Sequence, residues 1–303
     1  MRILLLGANG QVGHALRRSL APLGEVLPIT RSGQLPDGGA CLVADLADPA
    51  SLPGLVAGVA PDLVVNAGAY TAVDRAEDEP ALAMRVNAEA PAALAAACAR
   101  AGIGLVHFST DYVFDGTGTR PYREDDPVAP LGVYGTSKWA GEQAVRESGA
   151  AHKIFRLCWV YGPRGGNFLL TMLRLARERP VLRVVSDQIG APTAAPRIAS
   201  AVAEALRAQP GLSGTWHLSA QGETSWHAFA QEIFRESVAR GLLDKAPEVE
   251  AIRTDQYPTR ARRPAYSHLD TGRFRRDFGK DIGDWREGLQ DVLAELAGQA
   301  PAP

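Results

Sequence analysis

The stretch Gly7-Ala8-Asn9-Gly10-Gln11-Val12-Gly13 stands between an apolar run, Ile3 to Leu6, and a segment with Val12, Ala15, Leu16 and Leu20 at helical spacing. A short apolar run closed by glycine reads as a buried parallel strand, and Pro22 and Gly24 stop the helix that follows. The order strand, glycine triplet, helix gives the motif its meaning. Gly7 and Gly10 permit a tight turn and close approach of a pyrophosphate, and Gly13 lets helix and strand pack closely. The helix N-terminus aims free amides and its positive dipole end at phosphate oxygens. Gly7, Asn9, Gly10, Gln11 and Val12 are therefore candidate cofactor contacts.

The pattern repeats outward. Further strands are expected at 25–30, 40–44, 63–66, 104–109 and 153–157, with helices at 51–59, 89–101 and 134–147. Strands alternating with helices predict an α/β fold: a doubly wound parallel sheet of Rossmann type. Beyond residue 160 the alternation weakens into amphipathic helices at 167–178, 195–208 and 225–240, and 244–268 is rich in Pro, Arg and Thr. The expected organisation is a dinucleotide-binding domain over 1–160, with a returning segment near 186–218. A smaller, mixed C-terminal substrate lobe is expected mainly from 161–185 and 219–303.

The 303 residues carry 32 Lys+Arg against 34 Asp+Glu, a net charge of −2, which argues against a nucleic-acid coat or a polybasic membrane anchor. Cys41, Cys98 and Cys158 are odd in number and far apart, so neither a disulfide scaffold nor a zinc site is expected. No apolar run is long enough for a signal peptide or a membrane helix. A cytoplasmic protein with no nucleic-acid or membrane partner is the expectation.

Open α/β sheets bind ligands at the carboxyl ends of their strands. At the end of the second strand an acid would hold the ribose hydroxyl of NAD, but this chain has Thr30-Arg31-Ser32. A guanidinium flanked by hydroxyls suits a 2′-phosphate, which predicts NADPH, with NADH as the alternative. Asp45 and Leu46 follow the third strand, where Asp45 either reaches the adenine or caps a helix. Ala67, Gly68, Ala69 and Tyr70 follow the fourth, where small residues admit the cofactor.

Tyr134 and Lys138 are spaced i, i+4 and share one face of the 134–147 helix. A neighbouring ammonium is expected to lower the phenol pKa and make it a better proton donor. Lys138 can also hydrogen-bond the nicotinamide ribose. Thr110 ends the fifth strand and offers a hydroxyl to a substrate oxygen.

With these parts in place the chain resembles the extended short-chain dehydrogenase/reductases, and within them the dTDP-4-dehydrorhamnose reductases, over nearly its full length. The resemblance rests on GANGQVG (7–13), NAGAYTAVDRAE (66–77), HFSTDYVFDG (107–116) and PLGVYGTSKWAGE (130–142). It continues in FRLCWVYGPRGGNF (155–168), DQIGAPT (187–193) and RRPAYSHLDT (262–271). It implies Thr110, Tyr134 and Lys138 as the catalytic set. Asp111 would bind the sugar and Trp159, a residue type otherwise read as core, would line the deoxysugar pocket. Thr71, Val73 and Tyr112 are further candidates for that pocket, Tyr112 equally for packing. The implied reaction reduces the 4-keto group of dTDP-4-dehydro-L-rhamnose to dTDP-L-rhamnose.

Some relatives implied by this resemblance dimerise through carboxylate-held magnesium. The corresponding positions here are Ala15 and Pro196, so no metal and a monomer or metal-independent dimer are expected. The Arg260-Ala261-Arg262-Arg263 cluster reads equally as a diphosphate clamp or as solvated charge, and Glu124-Asp125-Asp126 as an exposed acidic loop. Two rival readings stand beside the reductase. One is another nucleotide-sugar epimerase or reductase, and the other is a non-catalytic NADP-binding regulatory subunit.

Overall fold

The computed structural model describes residues 1–39 and 41–298. Its centre is a seven-stranded parallel sheet built from β1 (Arg2–Leu6), β2 (Glu25–Thr30), β3 (Leu42–Val43), β4 (Leu63–Asn66), β5 (Gly104–Thr110), β6 (His152–Leu157) and β7 (Gly214–His217). The strand order is β7-β6-β5-β4-β1-β2-β3. Chain direction reverses its progress across the sheet between β1 and β4, so their carboxyl ends form the crevice at a topological switch point. Ile3 to Leu6 are almost completely buried. Ile3 and Leu5 enter one core cluster while Leu4 and Leu6 enter the other, as period-two alternation requires of a strand covered on both faces.

The helices that cover the sheet are α1 (Gln11–Leu20), α2 (Leu52–Val59), α3 (Ala90–Ala101), α4 (Val133–Glu147) and α6 (Ala195–Ala208). Three further helices are α5 (Phe168–Glu178), α7 (Trp226–Ala239) and α8 (Trp285–Leu296). Both α5 and α7 begin on side-chain caps: Leu170 N donates to Asn167 Oδ1 at 3.0 Å, and Ala228 N to Ser225 Oγ at 3.1 Å. Phe229, Phe234 and Trp285 are buried in the same core cluster as Ile3 and Leu5 of the sheet.

Four local differences from the sequence reading have physical causes. The third strand is only Leu42–Val43, an exposed edge; Ala40, where it was expected to begin, lies outside the described residues. The helix expected from residue 89 is preceded by a π-helical turn, Arg85–Glu89, whose wider pitch is invisible to a 3.6-residue pattern. Val181–Val185 and Glu248–Ile252 pair as parallel strands, although the second is too polar and exposed to stand out as an apolar run. Finally, only Asp125 of the acidic loop stands in solvent. Glu124 is half-buried and accepts from His217 N at 2.9 Å, and Asp126 pairs with Arg120.

Candidate active site

The glycine turn is a cradle that side chains would fill. Gly7 has φ +73°, and a Cβ there would lie 2.5 Å from Gly68 N. A Cβ on Gly13 would lie 2.1 Å from the Gly7 carbonyl oxygen, so α1 packs directly on the turn. Gly10 is the N-cap of α1 and makes no side-chain cap bond. The first-turn amides are thus left for an anion, as a dinucleotide pyrophosphate requires. Gly68 closes the floor: its own Cβ would meet Leu46 Cδ1 at 2.6 Å. Asn66 Oδ1 accepts from Gly68 N at 3.3 Å and holds that loop at the end of β4.

Arg31 is exposed just past β2, while Thr30 is buried with its hydroxyl on the Gln34 carbonyl at 3.2 Å. Asp45 Oδ1 accepts from Ala47 N at 2.9 Å, so one carboxylate oxygen organises the local turn. Tyr70 sends its phenol to Glu79 Oε2 at 2.6 Å, away from the glycine turn's own contacts.

The strand ends and α4 bring the catalytic candidates together. Thr110 closes β5, and its hydroxyl donates to Asp111 Oδ1 at 2.9 Å. Asp111 is buried, and its Oδ2 has no hydrogen-bond partner among the described residues. Burial pushes the Asp111 carboxyl up to about 6, against the opposing pull of Ser267, Thr110 and Cys158. Tyr134 meets Tyr112 edge-on, with ring centroids 5.7 Å apart and planes at 78°. Val73, Tyr112, Tyr134 and Arg262 border one small cavity; Thr71 is exposed and is not among its lining residues.

The expected lowering of the tyrosine pKa is corrected by the structure. Desolvation is the largest influence on Tyr134 and raises it to about 12; Thr110 pulls it down and Asp111 pushes it up. Lys138 is not among the influences on Tyr134; its Nζ donates to the Phe108 carbonyl oxygen at 2.5 Å. Lys138 itself is buried, and desolvation lowers it to about 8 despite Glu142 one turn away.

One positioning residue escaped the sequence reading. Asn87, in the π-helical turn, accepts from Tyr70 N at 2.8 Å through Oδ1. Its Nδ2 donates to Tyr70 O at 3.0 Å and to Ser137 Oγ at 3.0 Å. It thereby ties the β4 loop to the helix that carries Tyr134 and Lys138. A Cβ on Gly141 would lie 2.1 Å from the Asn87 carbonyl oxygen, which shows how closely α4 packs on this turn. The signal was a lone Asn, in Arg85-Val-Asn-Ala-Glu89, at a position that an Ala-rich helix would otherwise make apolar.

Trp159 follows β6, whose Leu157 is in register with Thr110. It is a non-glycine residue with φ +44°. The arginine cluster divides. Arg260 pairs with Asp78 at the surface, and Arg263 reaches Asp74 at 2.7 Å. Arg263 also walls a groove of about 640 Å³, with Trp226, Tyr257, Gln188 and Val184. Its Nε is buried without a partner among the described residues.

Sheet order, glycine cradle and the Thr110, Tyr134, Lys138 set define an extended short-chain dehydrogenase/reductase. A family model described as the RmlD substrate binding domain matches residues 1–297. The dTDP-4-dehydrorhamnose reductase of Burkholderia thailandensis is 46% identical over 310 residues, covering 99% of this chain and 100% of that protein. That of Salmonella typhimurium is 43% identical over 299 residues, covering 98% of each. The solved dTDP-4-dehydrorhamnose reductase of Bacillus anthracis in complex with NADP is 34% identical with a TM-score of 0.88, covering 97% of this chain and 99% of that one. The chain belongs to the dTDP-4-dehydrorhamnose reductase family.

Proposed function

We propose that the protein reduces the 4-keto group of dTDP-4-dehydro-L-rhamnose to the alcohol, with NADPH as reductant, giving dTDP-L-rhamnose. The observation that carries this reading is that Tyr134, at Tyr112, and Lys138, bonded to β5, come from one helix to the strand that ends in Thr110 and Asp111, the sheet neighbour of β4, whose following loop holds Gly68 of the glycine cradle. When bound, NADPH supplies the hydride for the carbonyl carbon. The cradle fits such a group, since a Cβ on Gly7 would stand 2.5 Å from Gly68 N and there is room only for backbone. Arg31 would hold the 2′-phosphate, with Asn9, Gly10, Gln11 and Val12 around the pyrophosphate. Asp45, Leu46, Ala67, Ala69 and Tyr70 would border the rest of the cofactor.

Desolvation holds the Tyr134 phenol above its ordinary value, so at neutral pH it carries its proton and serves as the donor. It protonates the oxygen as negative charge develops there, while the Thr110 hydroxyl stabilises that charge. The Lys138 ammonium holds the helix face on which Tyr134 sits and supplies positive charge within the site. The unpartnered Oδ2 of Asp111 accepts a sugar hydroxyl. Trp159, Tyr112, Val73 and Thr71 border the deoxysugar, and the Arg263 Nε donates to the diphosphate at the mouth of the groove.

The working division of labour is 1–160 for the dinucleotide, with 186–218 returning to that domain. Residues 161–185 and 219–303 mainly hold substrate. We also propose that any self-association is metal-independent. Ala15 and Pro196 line one surface pocket with Arg18, Arg164 and Glu295; their side chains supply no oxygen ligand, which leaves Glu295 as the one carboxylate beside two guanidinium groups. The three free cysteines fit a reducing, cytoplasmic setting. No helix among the described residues is long and apolar enough to cross a membrane.

The test follows loss of NADPH absorbance with enzymatically generated dTDP-4-dehydro-L-rhamnose. Turnover with dTDP-L-rhamnose as product, and a higher kcat/KM with NADPH than with NADH, is the expected result. Tight NADPH binding without turnover overturns the reading. A chelator-sensitive dimer overturns the metal-independent part.

A further inference from the structure

Trp159 holds its bulky side chain on a left-handed backbone, φ +44°, a conformation that persists only where the surroundings fix it. Two contacts do so. Gly190 packs against the indole so closely that a Cβ there would fall 2.5 Å from Cε2. Trp226 stacks on it, with ring centroids 3.5 Å apart and planes within 7°. Trp226 is the first residue of α7, and Phe168, the first residue of α5, rests against it at 4.6 Å. Phe168 in turn stacks on the fully buried Phe229. A row of aromatic rings thus runs from the core to the strand end beside Thr110. Trp226 and Phe168 also wall the 640 Å³ groove.

We propose that Trp226 is a positioning residue for the reduction: through the stack it fixes the Trp159 indole against the sugar. This rests on the sugar-nucleotide reading above, with Trp159 in the deoxysugar pocket. Trp226 is partly buried against the core, with its ring also bordering the groove.

The experiment compares Trp226→Ala and Trp226→Phe in the wild-type and Trp159→Ala backgrounds. It uses NADPH and dTDP-4-dehydro-L-rhamnose, with the tryptophan exciton couplet in the circular dichroism as a direct report of the stack. Trp226→Ala is expected to abolish the couplet and raise KM for the sugar nucleotide roughly 3- to 10-fold, the scale of one aromatic pair. KM for NADPH and the melting temperature stay near wild type. Trp226→Phe recovers most of the sugar-nucleotide KM, and in the Trp159→Ala background Trp226→Ala adds nothing. An unchanged KM after loss of the couplet overturns the proposal, as does an equal effect in both backgrounds. Absence of wild-type turnover, with the couplet intact, overturns the functional reading and this inference with it.

Discussion

Lys138 donates from Nζ to the carbonyl oxygen of Phe108 at 2.5 Å, a bond from α4 into the interior of β5. The helix that carries Tyr134 is anchored to the strand that carries Thr110 and Asp111 by the same side chain that the sequence marks as Tyr134's partner. Desolvation, the dominant influence on both residues, pushes their pKa values apart: Lys138 down to about 8 and Tyr134 up to about 12.

Tyr134→Phe removes the proton donor while keeping the ring that meets Tyr112. Turnover is expected to fall by roughly 100-fold or more, with NADPH affinity unchanged. Steady-state kinetics beside a fluorescence titration with NADPH check both halves. Turnover near wild type removes Tyr134 from its role.

The pH dependence follows from Lys138. Below about 8 it is an ammonium and above that it becomes a neutral amine, while Tyr134 remains protonated throughout. The rate of reduction is therefore expected to fall as pH rises through about 8, and Lys138→Met to lose that inflection along with most of the rate. The same shift acts on folding. Burial costs the charged form, so the penalty is complete below about 8 and is relieved as pH climbs toward the unfolded value of 10.5. A wild-type rate profile that stays flat well above pH 8 excludes this assignment.

Asp111 illustrates a site residue held against stability. Its carboxyl is raised from 3.8 to about 6, equivalent to about 3 kcal/mol of destabilisation once ionised. The cost is absent below the unfolded value, grows as pH rises through the folded one and is then constant. Asp111→Asn is expected to raise the melting temperature at neutral pH and flatten its dependence between those two values. Sugar-nucleotide KM should rise at the same time. Lower stability at neutral pH would show that the carboxylate is fully compensated.

Two glycines of the cradle should respond differently. At Gly7 a side chain would meet backbone at 2.5 Å from a left-handed φ of +73°, which nothing nearby can relieve. Gly7→Ala is expected to cost about 1–3 kcal/mol in chemical denaturation. At Gly68 the obstruction is the flexible tip of Leu46, so Gly68→Ala should fold with a loss within about 1 kcal/mol. It should still weaken NADPH binding, because the methyl group enters the cofactor floor. Equal losses of stability at the two positions would contradict this geometry.

The sheet was legible because each of its inner strands is an apolar run ended by a turn residue. Ile3 to Leu6 needs no tertiary context to be read as a doubly covered strand. The same holds for the Gly7 to Gly13 turn, for the i, i+4 spacing of Tyr134 and Lys138, and for Thr110 at a strand end. All of these are local in sequence. What locality cannot carry is the sign of an electrostatic shift. Spacing alone expects Lys138 to lower the tyrosine's pKa, but desolvation depends on everything folded around the pair, and it prevails.

The remaining features were decided only by the tertiary structure. Asn87 gains its partners from residues 17 and 50 positions away. Trp159 meets Trp226 from another segment of the chain. Arg263 parts company with Arg260 because one faces the groove and Asp74 and the other faces Asp78. Sequence by itself determined the elements and the catalytic residue types, since periodicity and strand-end chemistry act over a few residues. The fold alone decided burial, partners and protonation, because these depend on which distant segments the packing brings within a few ångströms.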